Sequence, residues 1–184
     1  MQSITIELIN RARNGNVEAI GELYDIYHRD VFSYLYYRTS DRQLAEDLTS
    51  EVFLKMIKAI PAFRISKGSF RGWLLQIAHN LMVDYYRQKP HQVIALEIEA
   101  DPKQEISEEL LERNMTLDKL QKALCQLAVD QREVIILRFI ENLPINEVSK
   151  ILRKSEDSIK GLQRRGLISL RQILSEEVVI GYLR

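Results

Sequence analysis

Between Phe70 and Arg87 the chain sets amide and guanidinium side chains at helical intervals. At about 100° per residue, Gln76, His79, Asn80, Val83 and Arg87 fall on one stripe of a helix, and Trp73, Leu74, Ile77, Leu81 and Tyr85 fall on the other. An amide offers a donor and an acceptor together, as the edge of a base requires, and a guanidinium neutralises phosphate. Lys67 and Arg71 carry the same surface back into the preceding loop. Phe63 and Phe70 add rings on which an unpaired base can stack, worth roughly 1–3 kcal/mol per base. The competing reading makes these aromatics core, and for most of them it is the simpler one. Asp84 falls toward the apolar stripe and is read as a structural hydrogen-bonding residue.

A second basic face lies near the other end of the chain. In the last helix Ile159, Leu162, Gly166, Leu170 and Ile173 trace an apolar stripe, whereas Asp157, Lys160, Gly161, Arg164, Ile168 and Arg171 point away from it, with Ser158 and Arg165 on the flank. Together with the preceding helices this makes a helix-turn-helix over residues 130–174. The N-terminal half of the second helix in such a motif reaches base edges in the major groove. A solvated basic face is the alternative. Gly161 and Gly166 each cost about 1 kcal/mol relative to alanine inside a helix; close approach of DNA at Gly161 and close helix packing at Gly166 are the expected reasons. Outward Ile168 suits a protein contact better than DNA.

A third helix, ahead of Pro61, has Leu44, Ala45, Leu48, Val52, Met56 and Ile60 on its core side and Asp47, Ser50, Glu51, Leu54 and Lys58 opposite. An apolar Leu54 within a polar rim is the make-up of a protein-docking surface. A solvated face with one stray leucine would look the same.

The elements that position these faces are helical throughout, since no segment alternates with period two for long. The expected class is all-α. A short helix over residues 4–13 is ended by Asn14-Gly15. Another over 17–38 carries Ile20, Leu23, Tyr24, Tyr27, Val31, Tyr34 and Leu35, and Ser40 or Asp41 caps the third. Lys89-Pro90 stops the helix over 70–87. A linker is placed at 91–112, dividing the chain into units at 1–90 and 113–184. The second unit opens with a helix over 116–127, then one starting at Asp130 with Glu133 at capping-box spacing. Pro144 suits the first turn of the next helix, and Ser155 caps the last, expected to run to about Leu174.

Composition narrows the function. The chain has 184 residues, 46% of them hydrophobic, with no net charge. That balance hides opposed patches: residues 97–112 hold seven acids with Lys103 the only base, and residues 150–171 hold seven bases against Glu156 and Asp157. The acidic stretch could shield the basic one in the absence of DNA. The single cysteine, Cys125, excludes a disulfide framework and a cysteine zinc site, and is read as a buried structural thiol. His28, His79 and His91 lack metal-ligand spacing, and no phosphate loop or nucleophile elbow is present. Neither an enzyme nor a cofactor is expected. With no signal pattern and no apolar run approaching about 20 residues, the expectation is a cytoplasmic protein without membrane insertion.

Ala45-Glu46-Asp47-Leu48 with Glu51-Val52-Phe53, and Phe70-Arg71-Gly72-Trp73-Leu74 with Ile77-Ala78, Asn80, Asp84 and Arg87, resemble the sigma-70 family. The likeness is to its small extracytoplasmic-function (ECF) group, which keeps only regions two and four. It covers about residues 23–90 and 117–174. The resemblance implies that Asp47, Ser50, Glu51 and Leu54 face the clamp helices of core RNA polymerase. It implies that residues 64–71, including Lys67 and Arg71, and the stripe from Asn80 to Arg87 engage the melted −10 element. The last helix would read the −35 element, with Lys160 and Arg165 at basic family positions and Arg164 at a variable one. Ser50 stands where glutamine is frequent, Arg153 where a turn glycine is usual, and Leu162 and Leu167 where basic residues are common. An anti-sigma factor is the implied inhibitor. Two other readings stay open: a sigma mimic that binds an anti-sigma factor without DNA, and a helix-turn-helix regulator of duplex DNA that works without polymerase.

Overall fold

The computed structural model describes the backbone of residues 2–64, 68–88 and 108–182, and the side chains of 6–64, 68–88 and 117–175. Lys67, His91, Lys89-Pro90 and most of the expected linker lie outside the described residues. Of the acids proposed to shield the basic helix, Glu97, Glu99, Asp101 and Glu105 lie outside as well, and Glu108, Glu109 and Glu112 are described in backbone alone.

Four helices build the first unit: α1 (Gln2–Arg13), α2 (Val17–Thr39), α3 (Arg42–Ala59) and α4 (Phe70–Gln88), with a 3-10 turn at Ile60–Ala62. Gly15, at φ +83, provides the left-handed turn after α1. Asn16 caps α2 by accepting from the Ala19 N–H at 2.8 Å. Of the two candidate caps for α3 it is Asp41 that serves, accepting from the Leu44 N–H at 2.9 Å, while Ser40 ends α2 in the left-handed conformation. Ala45, Leu48, Val52, Met56 and Ile60 are buried as expected, together with Thr49 and Phe53. In α4 the fully buried residues are Leu74, Leu75 and Ala78, with Met82 almost so, whereas Trp73, Ile77 and Tyr85 are half-buried. Periodicity placed the inward stripe too narrowly, because α4 packs on α2 and α3 on one side and on a helix of the second unit on another.

The second unit comprises α5 (Glu108–Cys125), α6 (Val129–Ile135) running on as a π-helical turn at Ile136–Ile140, α7 (Ile145–Leu152) and α8 (Glu156–Tyr182). α5 starts eight residues earlier than the sequence reading put it, and α8 runs eight residues past Leu174. Pro144 sits just before α7, its carbonyl accepting from the Glu147 and Val148 N–H groups. Ser155 accepts from the Ser158 N–H at 3.2 Å, as expected of the α8 cap. The capping box at Asp130 does not form. Ala128 is the N-cap with no side-chain bond, Asp130 pairs with Lys154 Nζ at 3.0 Å, and Glu133 turns away to the first unit. Arg153 takes the left-handed conformation, φ +52, at the α7 C-cap. Cys125 is half-buried rather than buried, its Sγ 2.9 Å from Ser40 Oγ of the first unit. Among the described residues no helix is long and apolar enough to cross a membrane.

The expected stripe of α8 packs on α6, with Ile159, Leu162 and Gly166 buried. A Cβ at Gly166 would lie 3.0 Å from Ile135 Cγ1 and 3.4 Å from Gln131 Cβ. Ile135 is itself buried on α6 and has little room to yield. Gly166→Ala is therefore expected to destabilise the fold by about 1 kcal/mol, the overpacking cost exceeding the gain in helix propensity. Gly21→Ala, mid-helix on α2 with nothing within 4 Å of its Cβ, is expected to stabilise by a similar amount. Urea melts of the two variants check the opposite signs.

Candidate nucleic-acid interface

The outward face of α3 is built as the periodicity requires. Asp47, Ser50, Glu51 and Leu54 are all exposed, Leu54 by 59%. The polar members are held loosely: Ser50 Oγ donates to the Glu46 carbonyl at 3.1 Å, and Glu51 lies 3.5 Å from Lys55 Nζ.

The α4 stripe divides into an open end and a covered end. Asn80 and Arg87 are exposed, and Arg87 NH2 donates to Asp84 Oδ1 at 3.0 Å. Gln76 is half-buried, its Nε2 directed at the Lys150 carbonyl of α7 at 3.5 Å. Arg71 is half-buried and makes a contact through each of its three nitrogens. Its Nε reaches Asp30 Oδ2 at 2.5 Å, its NH2 reaches Glu141 Oε2 at 2.6 Å, and its NH1 donates to the Glu141 carbonyl. Phe63 and Phe70 are buried, edge-on to each other and tilted against Trp73, with centroids 4.8 to 5.4 Å apart. Their rings are closed to a base, so the core reading replaces the stacking one.

On α8 the basic face is open. Ser158, Arg164, Arg165 and Arg171 are exposed, and Lys160 makes only a surface contact with Asp157 at 3.0 Å. The only contact a Cβ at Gly161 would meet within 4 Å is the Arg165 guanidinium, so packing gives no reason for the glycine. Leu162 is buried and belongs to the core rather than to the DNA-facing surface, whereas Leu167 and Ile168 are exposed.

What sequence reasoning missed is the junction between the units. Glu133 of α6 accepts from Tyr34 Oη at 2.9 Å and from Arg38 Nε at 2.5 Å, and His79 Nδ1 stands 3.1 Å from the Tyr34 hydroxyl. Burial alone would raise the Glu133 carboxyl. The neighbouring His79, 3.7 Å away, and the Arg38 charge overcome it and hold the group down at about 2. Glu141 behaves oppositely. Burial pushes it up to about 7, with Ser33 and Arg71 pulling down and Asp30 adding to the rise. Ser69 Oγ donates to Glu147 Oε2 at 2.7 Å, and Gln121 Nε2 donates to Ser40 Oγ and the Tyr36 carbonyl. One signal was available: Glu133 and Glu141 flank the run from Val134 to Ile140, apolar but for Arg138, where a buried acid requires a partner. Nothing local says which residue that partner is.

Sigma-70 region 2 matches residues 23–91, and Sigma-70 region 4 matches residues 117–170. The ECF RNA polymerase sigma factor SigX of Bacillus subtilis is 35% identical over 169 residues, covering 85% of this chain and 86% of SigX. This chain belongs to the sigma-70 family, in its ECF group. The ECF RNA polymerase sigma factor BldN of Streptomyces coelicolor is 34% identical over 180 residues. That match takes in 94% of this chain, which spans 66% of the length of BldN. In structure, the sigma factor RpoE of Bartonella quintana, solved with the anti-sigma factor NepR, aligns with TM-score 0.73 at 21% identity. It covers 86% of this chain and 98% of RpoE, and supports the all-α fold. Sigma region two thus takes in most of α2 together with α3 and α4, which carry the exposed α3 face and the α4 stripe. Region four takes in the end of α5, α6, α7 and most of α8, with the open basic face.

Proposed function

We propose that this chain is an ECF sigma factor that directs RNA polymerase to a particular promoter class and assists promoter melting. The first unit, residues 1–90, binds core polymerase through Asp47, Ser50, Glu51 and Leu54. It engages the −10 element through Lys67, Arg71, Gln76, Asn80 and Arg87. The second unit, residues 113–184, binds the −35 element through Ser158, Lys160, Arg164, Arg165 and Arg171, and residues 91–112 link the two. The observation that carries this reading is the presence of three separate exposed polar faces, on α3, α4 and α8, each on a helix whose opposite side is core. The chain carries out no reaction of its own. Binding energy for unpaired bases offsets part of the cost of opening the duplex. It works in the cytoplasm with the polymerase, and an anti-sigma factor is its inhibitory partner.

Run-off transcription with core polymerase over a pool of promoter fragments tests the reading. Selective transcripts are expected only when the chain is added. Alanine at both Asn80 and Arg87 is expected to lower them about tenfold or more, on the basis of one lost base contact and one lost phosphate contact. Unchanged transcription in that variant would remove the α4 stripe from the promoter interface. Polymerase binding without transcripts from any fragment would favour a sigma mimic.

A further inference from the structure

Cys125, half-buried at the end of α5, stands among polar groups that are incompletely bonded. Ser40 Oγ, where α2 ends, lies 2.9 Å from its Sγ. Gln121, one turn earlier on the same side of α5, donates from Nε2 to Ser40 Oγ at 2.8 Å and to the Tyr36 carbonyl at 3.1 Å, so its amide is held over the Ser40–Cys125 pair. Arg132 of α6 donates from NH2 to the Cys125 carbonyl at 2.7 Å. Burial lowers Arg132, and a charge on Cys125 is the largest influence opposing it, as expected of a guanidinium beside that sulfur. Gln121 is only 4% exposed and Arg132 9%. Even so, Gln121 Oε1 and Arg132 Nε are buried with no hydrogen-bond partner among the described residues. An acceptor and a donor left open in such positions are costly, and a thiol already facing Ser40 serves neither.

A hydroxyl carried on the sulfur fits both, because its O–H donates to Gln121 Oε1 while its oxygen accepts from Arg132 Nε. We propose that Cys125 is a site of oxidation by hydrogen peroxide, and that Gln121 and Arg132 hold the resulting sulfenic acid. The thiolate attacks one peroxide oxygen, the S–O bond forms as the O–O bond breaks, and the departing hydroxide takes up the thiol proton as water. Sulfur gives up two electrons and the peroxide receives them. A half-buried sulfur admits a molecule as small as hydrogen peroxide. Because Cys125 is the single cysteine, the sulfenic acid cannot pass to a disulfide within the chain. Hydrogen bonds on its oxygen then slow the second oxidation, to sulfinic acid. The site stands whether or not the chain is a sigma factor.

The test treats the full chain, kept dilute so that molecules do not join, with hydrogen peroxide and adds dimedone after increasing delays. Intact mass spectrometry reads the sulfenic adduct and the sulfinic product. The same chain unfolded in urea carries the thiol without its neighbours. The folded chain is expected to give an adduct that Cys125→Ser lacks, and to keep its sulfenic acid about tenfold longer than the unfolded chain, the effect of one net hydrogen bond. Gln121→Met, similar in size but without the acceptor, is expected to shorten that lifetime several-fold in protein whose circular dichroism is unchanged. Absence of the adduct in the folded chain would overturn the proposal. So would equal lifetimes in the folded and unfolded chains, or an unchanged lifetime in folded Gln121→Met. Should Gln121→Met not fold, the comparison of folded with unfolded chain decides alone.

Discussion

Replacing Glu133 with alanine is expected to remove about 3–5 kcal/mol from the junction between the units, the usual cost of stranding one partner of a buried ion pair. Arg38 and Glu133 have side chains only 10% and 5% exposed. Without the carboxylate, Arg38 keeps its cation–π contact with Tyr86 at 5.3 Å but has no counter-charge, and the Tyr34 hydroxyl loses its acceptor. The chain has a way out that a single-core protein lacks: the units can part and let water reach Arg38. The loss is then limited to what the junction contributes. Thermal unfolding is expected to change from one transition to two, one for each unit, rather than to shift as a whole. Arg38→Met added to Glu133→Ala should recover much of the single transition, because removing both charges relieves the desolvation that one alone leaves behind. A single transition that merely shifts downward in Glu133→Ala would mean that the two units share one indivisible core.

The same junction predicts a pH optimum. The Glu133 carboxyl lies lower at the junction than the ordinary 4.5, so its contribution is complete above about 4.5 and is lost as pH falls toward 2, roughly 3 kcal/mol in all. The Glu141 carboxyl lies higher at the junction. Its contribution is present below about 4.5 and is lost as pH rises toward 7. The groups facing it are Arg71, Asp30 and Ser33, and the Tyr34 and Tyr37 phenols feel its charge. The junction is therefore expected to be most stable near pH 4.5 to 5 and to weaken on both sides. Glu141→Gln should abolish the decline toward neutrality and leave the acid limb intact.

The outward and inward faces of α3 and α8 were legible because each helix packs against its own unit on one side and meets water on the other, the condition under which a 3.6-residue period reports burial. α4 was harder. With neighbours on two sides its buried arc widens, and Gln76 and His79, polar and placed on the outer stripe, end at the junction. The ends of α5 and α8 were missed for another reason: acidic residues after Glu108 and mixed residues after Leu174 carry no clear apolar stripe, yet both stretches are helical. Glu133 was misread because its spacing from Asp130 fits a local motif, while its actual partners lie 95 and 99 residues away. Local pattern carries no information at that range. The resemblance supplied roles for the exposed faces and was silent on the groups that hold the two units together.

Leu54→Asn is expected to weaken binding to core polymerase by tenfold to about thirtyfold while leaving the fold intact. At 59% exposure Leu54 contributes little to the core, so its truncation should not move the melting transition. On the α3 face it stands one turn from both Ser50 and Glu51 and two turns from Asp47, an apolar centre in a polar rim. Such centres, dehydrated on binding, carry about 2 kcal/mol where rim charges carry little. Because Ser50 is short and already bonds the Glu46 carbonyl, it offers a partner less than a longer amide would, and Leu54 is left with the larger share. Val17→Asn, at a position 76% exposed on another helix, supplies the control and should leave affinity unchanged. Competition of labelled and unlabelled chains for core polymerase measures both. Equal loss in the two variants would mean that general surface apolarity drives the contact, and no loss in Leu54→Asn would move the docking site off this face of α3.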